Sequence, residues 1–306
     1  MRHKTKPLAL SFLWLSLLSG SLHAQTEGES ITPFELQATH SHSTAQSQPI
    51  SSNAAPARLA IIIDDLGNSL HAGLKAIALP APITFAVMPH RKHSKALAER
   101  AGRLGRDVLL HAPMSTVNGR KLGAGALNQD LSEQVFKDKL RFSIANTPFI
   151  SGMNNHMGSQ LTTQPQAMRW VMDVLKEEQL FFVDSRTHAR SIAYKTALKM
   201  GLPTANRDIF LDHEITIDHI HIQFKKALAI AKRYGSAIAI GHPHKVTLKY
   251  LNHVLPQLDG SNVAIHSVSD LLEGGMNARP DSARESRPAS MPSLDLLVKS
   301  LQARTQ

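Results

Sequence analysis

Two adjacent aspartates, Asp64 and Asp65, close the apolar run LAIIIDDLG that starts at Leu59. A charge at the rim of a core costs solvation free energy unless something compensates it. One acid would suffice to cap a following helix, so the second asks for another explanation. Other apolar runs end in groups of the same kind: His90 after TFAVMP, His111 in VLLHAPM, Asn155 and His156 in GMNNHMGS, Asp184 and Arg186 in FFVDSRT, Arg207-Asp208 after LPTAN, and His242 and His244 in IAIGHPH. The chain has 17 histidines and no cysteine, so a transition-metal site must use imidazole and carboxylate, and no thiolate can be the nucleophile. These types suit a mononuclear metal hydrolase. Zinc takes neutral His nitrogen and carboxylate oxygen and keeps one position for water. A second carboxylate can remove a proton from that water, and a further His can return one to the leaving group. Asp65, His111 and His156 read as the ligands, and the ion's charge would compensate the acids at the strand end. Asn155 reads as a group that orients a ligand or meets substrate. Histidines away from strand ends, among them His213, His219 and His221, read as structural or surface residues. Arg207-Asp208 reads as a salt bridge steadying the mouth.

These residues converge only if the elements carrying them do. Eight short apolar runs (LAIIID, ITFAVM, DVLLH, FISGMN, LFFVD, LPTANRD, SAIAIG, NVAIHS) alternate with segments of helical spacing. One helix is expected over Leu131–Ala145, with Leu131, Val135, Leu140 and Ile144 along one face and Asp130 and Glu133 as a capping box. A second carries Met168, Val171, Met172 and Leu175 after Pro165, and a third Ile220, Phe224 and Leu228. Strand–helix alternation argues for an α/β fold with a parallel sheet, and seven or eight units suit a distorted (β/α) barrel. In such a barrel every strand presents its C-terminal end on one face, where active sites form.

The 306 residues, 42% of them hydrophobic, allow a sizeable core. The formal charge of +10 comes without a dense Lys/Arg block, and aromatics are only 5%, which argues against nucleic acid as a partner. MRHKTK, LALSFLWLSLLSG and SLHA read as the basic, apolar and cleavage regions of a signal peptide, residues 1–24, with an uncleaved anchor as the alternative. Residues 25–57 are polar and read as a disordered linker, 58–275 as the catalytic domain, and 276–306 as a flexible tail. The amphipathic LDLLVKSLQ near the end of that tail reads as a docking segment for an envelope partner or a membrane surface, or as part of the disorder. The expected place is outside the cytoplasmic membrane, in the periplasm of a Gram-negative bacterium. Membrane contact is expected only through the N-terminal segment.

The ordered series IIIDDLG, TFAVMPH, VLLHAPM, GMNNHMGSQLT, FFVDSRT and IAIGHPH, spread over about Arg58 to Leu272, resembles the divergent polysaccharide deacetylases, a branch of the NodB-like carbohydrate esterases. The resemblance implies a distorted barrel of about seven β/α units and one divalent metal ion, usually zinc. It also implies Asp64 as base, Asp65 as ligand and His242 as general acid, with His244 competing for that role or lying with Asn155 on the substrate side. Where the wider group places two ligand histidines in one short motif, this chain offers His111 alone, and His156 supplies the second. The wider group's arginine-proline motif is not evident, and Asp184 and Arg186 stand nearest to its orienting roles. The function so implied is metal-dependent removal of acetyl groups from an envelope polysaccharide. The alternative is a non-catalytic protein binding glycan or a cell-wall partner on the same scaffold. A metal phosphohydrolase would need ligands around a second neighbouring ion, and no such set stands out.

Overall fold

The computed structural model describes residues 55–273. The proposed signal peptide, nearly all of the linker and the tail lie outside the described residues. Nine parallel strands form one sheet: β1 (Ala57–Leu66), β2 (Thr84–Val87), β3 (Val108–Met114), β4 (Ile150–Met157), β5 (Phe181–Asp184), β6 (Thr204–Asn206), β7 (Ile209–Phe210), β8 (Ser236–Gly241) and β9 (Val263–His266). Their order is β6-β5-β4-β3-β2-β1-β8-β7, with β9 added on β1. Each of the eight apolar runs supplies a strand, and β7 is an additional short one directly after Arg207-Asp208. The two end strands, β6 and β7, are separated in sequence by those two residues alone. The sheet therefore curls into a half-barrel whose edges meet without a ladder between them.

The helices are α1 (Leu70–Ile77), α2 (Ser94–Arg103), α3 (Glu133–Ala145), α4 (Pro165–Glu177), α5 (Ala193–Lys199), α6 (Ile217–Tyr234), α7 (Lys245–Val254) and α8 (Val268–Glu273). None among the described residues is long and apolar enough to cross a membrane. Pro165 opens α4 at a position where its missing N–H costs nothing. Thr216 caps α6, and Gly235 ends it with φ +83°, a conformation glycine adopts without steric cost. The start of α3 differs from expectation. Its cap residue is Ser132, with no side-chain capping bond, and Val135 is exposed while Phe136 is buried beside Leu140 and Ile144. Only at this turn does the core position pass from Val135 to the bulkier Phe136; Leu131, Leu140 and Ile144 keep to the core side as expected.

Three apolar clusters divide the strands by parity. Ile61 and Ile63 pack outward under helix residues such as Leu97, Phe224 and Leu251. Leu110, Met153 and Phe182 pack outward under α3 and α4 residues such as Leu140 and Met172. Ala60, Ile62, Leu109, Val183, Ile238 and Ile240 fill the concave interior, with Val268 and Leu271 of α8. Each fully buried aliphatic side chain contributes roughly 1.5–3 kcal/mol. Gly152 belongs to the concave face, where a Cβ would lie 2.5 Å from the Phe181 ring on the neighbouring strand. Gly152→Ala is expected to lower stability in urea unfolding by about 1–3 kcal/mol, the usual cost of overpacking.

Candidate metal centre and active site

The inward parity that fills the interior also selects what reaches the mouth. Two residues beyond Ile62 stands Asp64, beyond Leu109 stands His111, and beyond Ile240 stands His242. On β4 the outward residue is Met153, so Asn154 and His156 turn inward; they pair in register with His111 and Pro113.

Asp65 breaks the parity rule. Between Ile63 and Leu66 the pairing with β2 slips: three steps on β1 oppose two on β2, from Phe85 to Val87. Asp65 has φ +61°, and Leu66 returns to the outer cluster where unbroken alternation would have turned it inward. This bulge brings two consecutive carboxylates to one site. His111 Nε2 lies 3.7 Å from Asp64 Oδ2 and 3.2 Å from Asp65 Oδ1. His156 Nδ1 lies 2.9 Å from the same Asp65 oxygen and 3.1 Å from His111 Nε2.

The three atoms Asp65 Oδ1, His111 Nε2 and His156 Nδ1 thus form a triangle with edges of 2.9, 3.1 and 3.2 Å. A tetrahedral zinc ion with bonds of about 2.0–2.1 Å holds its ligand atoms roughly 3.3 Å apart. Asp65 Oδ1 is buried, and no donor meets it with hydrogen-bond geometry. Donor type, spacing and the orphaned oxygen all fit a divalent ion. His111 Nδ1 faces Asn154 Oδ1 at 2.7 Å, so Nδ1 carries the proton and Nε2 is left with its lone pair toward the triangle. The amide nitrogen of Asn154 donates to Asp64 Oδ1 at 2.8 Å. One asparagine therefore fixes both a candidate ligand and the neighbouring acid.

Burial raises the Asp64 carboxyl above its ordinary range, opposed by the charges of His111 and His242 and by the Asn154 bond. Burial also pushes Asp65 up, but His111 and His156 beside it prevail and hold it well below the usual carboxylate range. Across the mouth, His242 Nδ1 donates to Asp212 Oδ1 at 2.8 Å. Asp212 Oδ2 accepts the His242 main-chain N–H and the Thr247 hydroxyl, each at 2.7 Å. Burial disfavours the imidazolium, yet the Asp212 bond and the charge of Asp64 outweigh it and push His242 up to about 9.

Residues 61–272 match the family model for divergent polysaccharide deacetylases. The chain belongs to that family. It is 34% identical over 242 residues to YibQ of Escherichia coli (strain K12), covering 77% of this chain and 76% of that protein. A Haemophilus influenzae protein is 39% identical over 204 residues, covering 67% and 73%. Among solved structures, ATU2773 from Agrobacterium tumefaciens C58 superposes with a TM-score of 0.69 at 26% identity, covering 72% of this chain and 91% of that one.

In this member of the family the mouth gathers Asp64, Asp65, His111, His156 and His242. The other candidates from the sequence turn elsewhere. Asp184 has the outward parity of Phe182, and its oxygens accept the Arg186 N–H at 2.8 Å, the Ser191 hydroxyl at 2.7 Å and the Tyr194 N–H at 3.3 Å. It folds the loop after β5. Asn155, also outward, accepts the Ser185 N–H at 2.9 Å and donates to the Met157 carbonyl at 2.6 Å. Arg186 takes part through its backbone, in a left-handed turn at φ +45°. A half-buried cation, Arg207, has its charge coupled to Asp64 and donates to the Ser185 and Arg186 carbonyls at 2.6 and 2.9 Å. The carboxylate of its neighbour Asp208, whose charge also favours the guanidinium, accepts the Ile238 N–H at 2.9 Å. His244 precedes α7, its ring 5.8 Å from that of His242. His90 bonds Ser143 and stacks on Phe142 of α3. The sequence reading missed Asn154 and Asp212. Asn154 sits two residues before His156, the spacing of one strand face, and Asp212 ends the run IFLD much as Asp184 ends FFVD. Asn154→Ala is expected to weaken zinc or cobalt binding about 10–100-fold in direct titration, the usual loss when a ligand's outer partner is removed.

Proposed function

We propose that this chain is an exported, metal-dependent deacetylase that removes acetyl groups from an envelope polysaccharide. The observation that carries the reading is the triangle of Asp65, His111 and His156 with a buried acid on one side and an Asp212-backed imidazole on the other. Family membership supports an acetylated polysaccharide as the substrate class. A divalent ion held by the triangle, zinc by its donor set, would supply Lewis acidity toward an acetyl carbonyl and a water molecule.

The chain's own groups then divide the proton work. Asp64 stands outside the triangle with one oxygen held by Asn154. Its raised pKa strengthens it as a base, and it accepts the proton of the attacking water. His242 carries its proton at neutral pH and gives it to the departing amine or alcohol. Asp212 holds Nδ1, which leaves Nε2 as the donating atom. Export is supported by the basic, apolar and cleavage regions at the N-terminus.

Asp65→Ala and His156→Ala are expected to lose the stoichiometric metal and, with it, acetate release from acetylated glycans. Asp64→Asn is expected to keep the metal and lose about 10²–10⁴-fold in rate; loss of metal as well would overturn the division of labour between the two acids. Metal binding with no acetate released from any acetylated glycan by the wild type would instead favour the glycan-binding alternative. In Asp212→Asn the alkaline limb of the pH–rate profile is expected at lower pH, because His242 must be protonated to act and loses the partner that holds its proton. Finally, N-terminal sequencing of protein from the periplasmic fraction is expected to begin at Gln25.

A further inference from the structure

Away from the mouth triangle, imidazole and carboxylate converge again on the segment that follows Asp212. His213 Nδ1 and His219 Nε2 face each other at 3.1 Å, with their rings edge to face and centroids 4.1 Å apart. Glu214 brings its carboxylate oxygens to 3.8 Å from His213 Nε2 and 3.5 Å from His219 Nδ1. One donor atom from each of the three residues lies within 4.8 Å of the others. One turn along α6, the Gln223 amide stands 3.1 Å from His219 Nε2.

The backbone holds this group at both ends. Thr216 accepts the His219 N–H at 3.2 Å and fixes the first turn of α6. At the other end Asp212 is tied to His242 and Thr247. Two ring nitrogens at this separation share one proton at most. The facing lone pairs and the adjacent carboxylate are what a cation satisfies. The neighbouring group of Asp212, His242 and His244 differs, because both Asp212 oxygens already accept hydrogen bonds.

We propose that His213, Glu214 and His219 form a second, separate site for a divalent transition metal. Two imidazoles and one carboxylate select zinc, nickel or copper over calcium or magnesium. The side chains of His213 and Glu214 are 57% and 65% exposed, so water completes the coordination and the ion exchanges with solution. An ion here ties residues 213–216 to the first turn of α6. It thereby braces Asp212, the residue that holds His242.

The test is zinc titration of the full chain by calorimetry, with metal analysis after gel filtration. His213→Ala, at an exposed position, is expected to bind one equivalent fewer than the wild type, or to bind that equivalent at least about tenfold more weakly. Glu214→Gln is expected to weaken the same equivalent. Asp65→Ala/His156→Ala is expected to retain it, and zinc should raise the thermal midpoint of that variant by mass action. Adding His213→Ala to the double variant should abolish the rise. The proposal is overturned if His213→Ala binds as many equivalents as the wild type with unchanged affinity, or if the zinc-dependent rise survives the triple substitution.

Discussion

The bulge at the end of β1 is the constraint on which the mouth depends. Successive strand residues point to opposite faces, so two adjacent carboxylates in a regular strand cannot share a site. One extra residue on β1, with Asp65 at φ +61°, cancels the alternation for a single step. A non-glycine residue held there costs about 1–2 kcal/mol. Such strain persists where the surroundings over-determine it, and here the β1–β8 ladder through Gly241 and the return of Leu66 to the outer core do so. Left-handed residues recur at the other strand ends: His90 beyond β2, Met157 at the end of β4, and Arg186 beyond β5. The rim is thus made of turns that redirect side chains.

Within the sheet, parity decides which polar residue joins the site. Asp64, His111, Asn154, His156 and His242 continue inward-facing series, whereas Asp184 and Asn155 continue outward ones. The strands were legible in the sequence because each is a compact apolar run bounded by turn residues, and the curled parallel architecture followed from their alternation with helices. Parity was not legible, because a parallel strand covered on both faces is apolar at every position. In LAIIID and LFFVD nothing distinguishes the concave side from the helix side. FFVD and NN could therefore be read as site residues on type alone, and Asp184 and Asn155 instead hold the loops beside it. Asn154 escaped notice for the complementary reason: its role lies in register with His111 across a ladder, and that pairing joins residues 43 apart.

Two relays of similar construction flank the mouth. On one side Asn154 joins His111 to Asp64, so that the orientation of a candidate ligand and of the candidate base is a single variable. On the other, Asp212 takes three hydrogen bonds from two elements and passes their rigidity to His242. The electrostatic consequences are opposite in origin. Asp64 is raised chiefly by burial, and His242 chiefly through a specific anionic partner that overcomes burial. The two groups are nonetheless coupled across the mouth, since the charge on each favours the charged form of the other.

The half-barrel closes through side chains where the ladder stops. β6 and β7 stand at opposite ends of the strand order, yet only Arg207 and Asp208 separate them in sequence. Arg207 donates to two carbonyls beyond β5 and lies 3.7 Å over the Phe210 ring on β7. Asp208 bonds the β8 backbone through its own N–H and its carboxylate, at 2.8 and 2.9 Å. The pair that the sequence suggested as a salt bridge also latches the backbone on either side of the seam. This arrangement leaves the Asp65–His111–His156 triangle and His242 on one run of strands, β4-β3-β2-β1-β8, in which every neighbouring pair is hydrogen-bonded. The seam between β6 and β7 falls outside that run and is tied to it through the Asp208 bonds to Ile238.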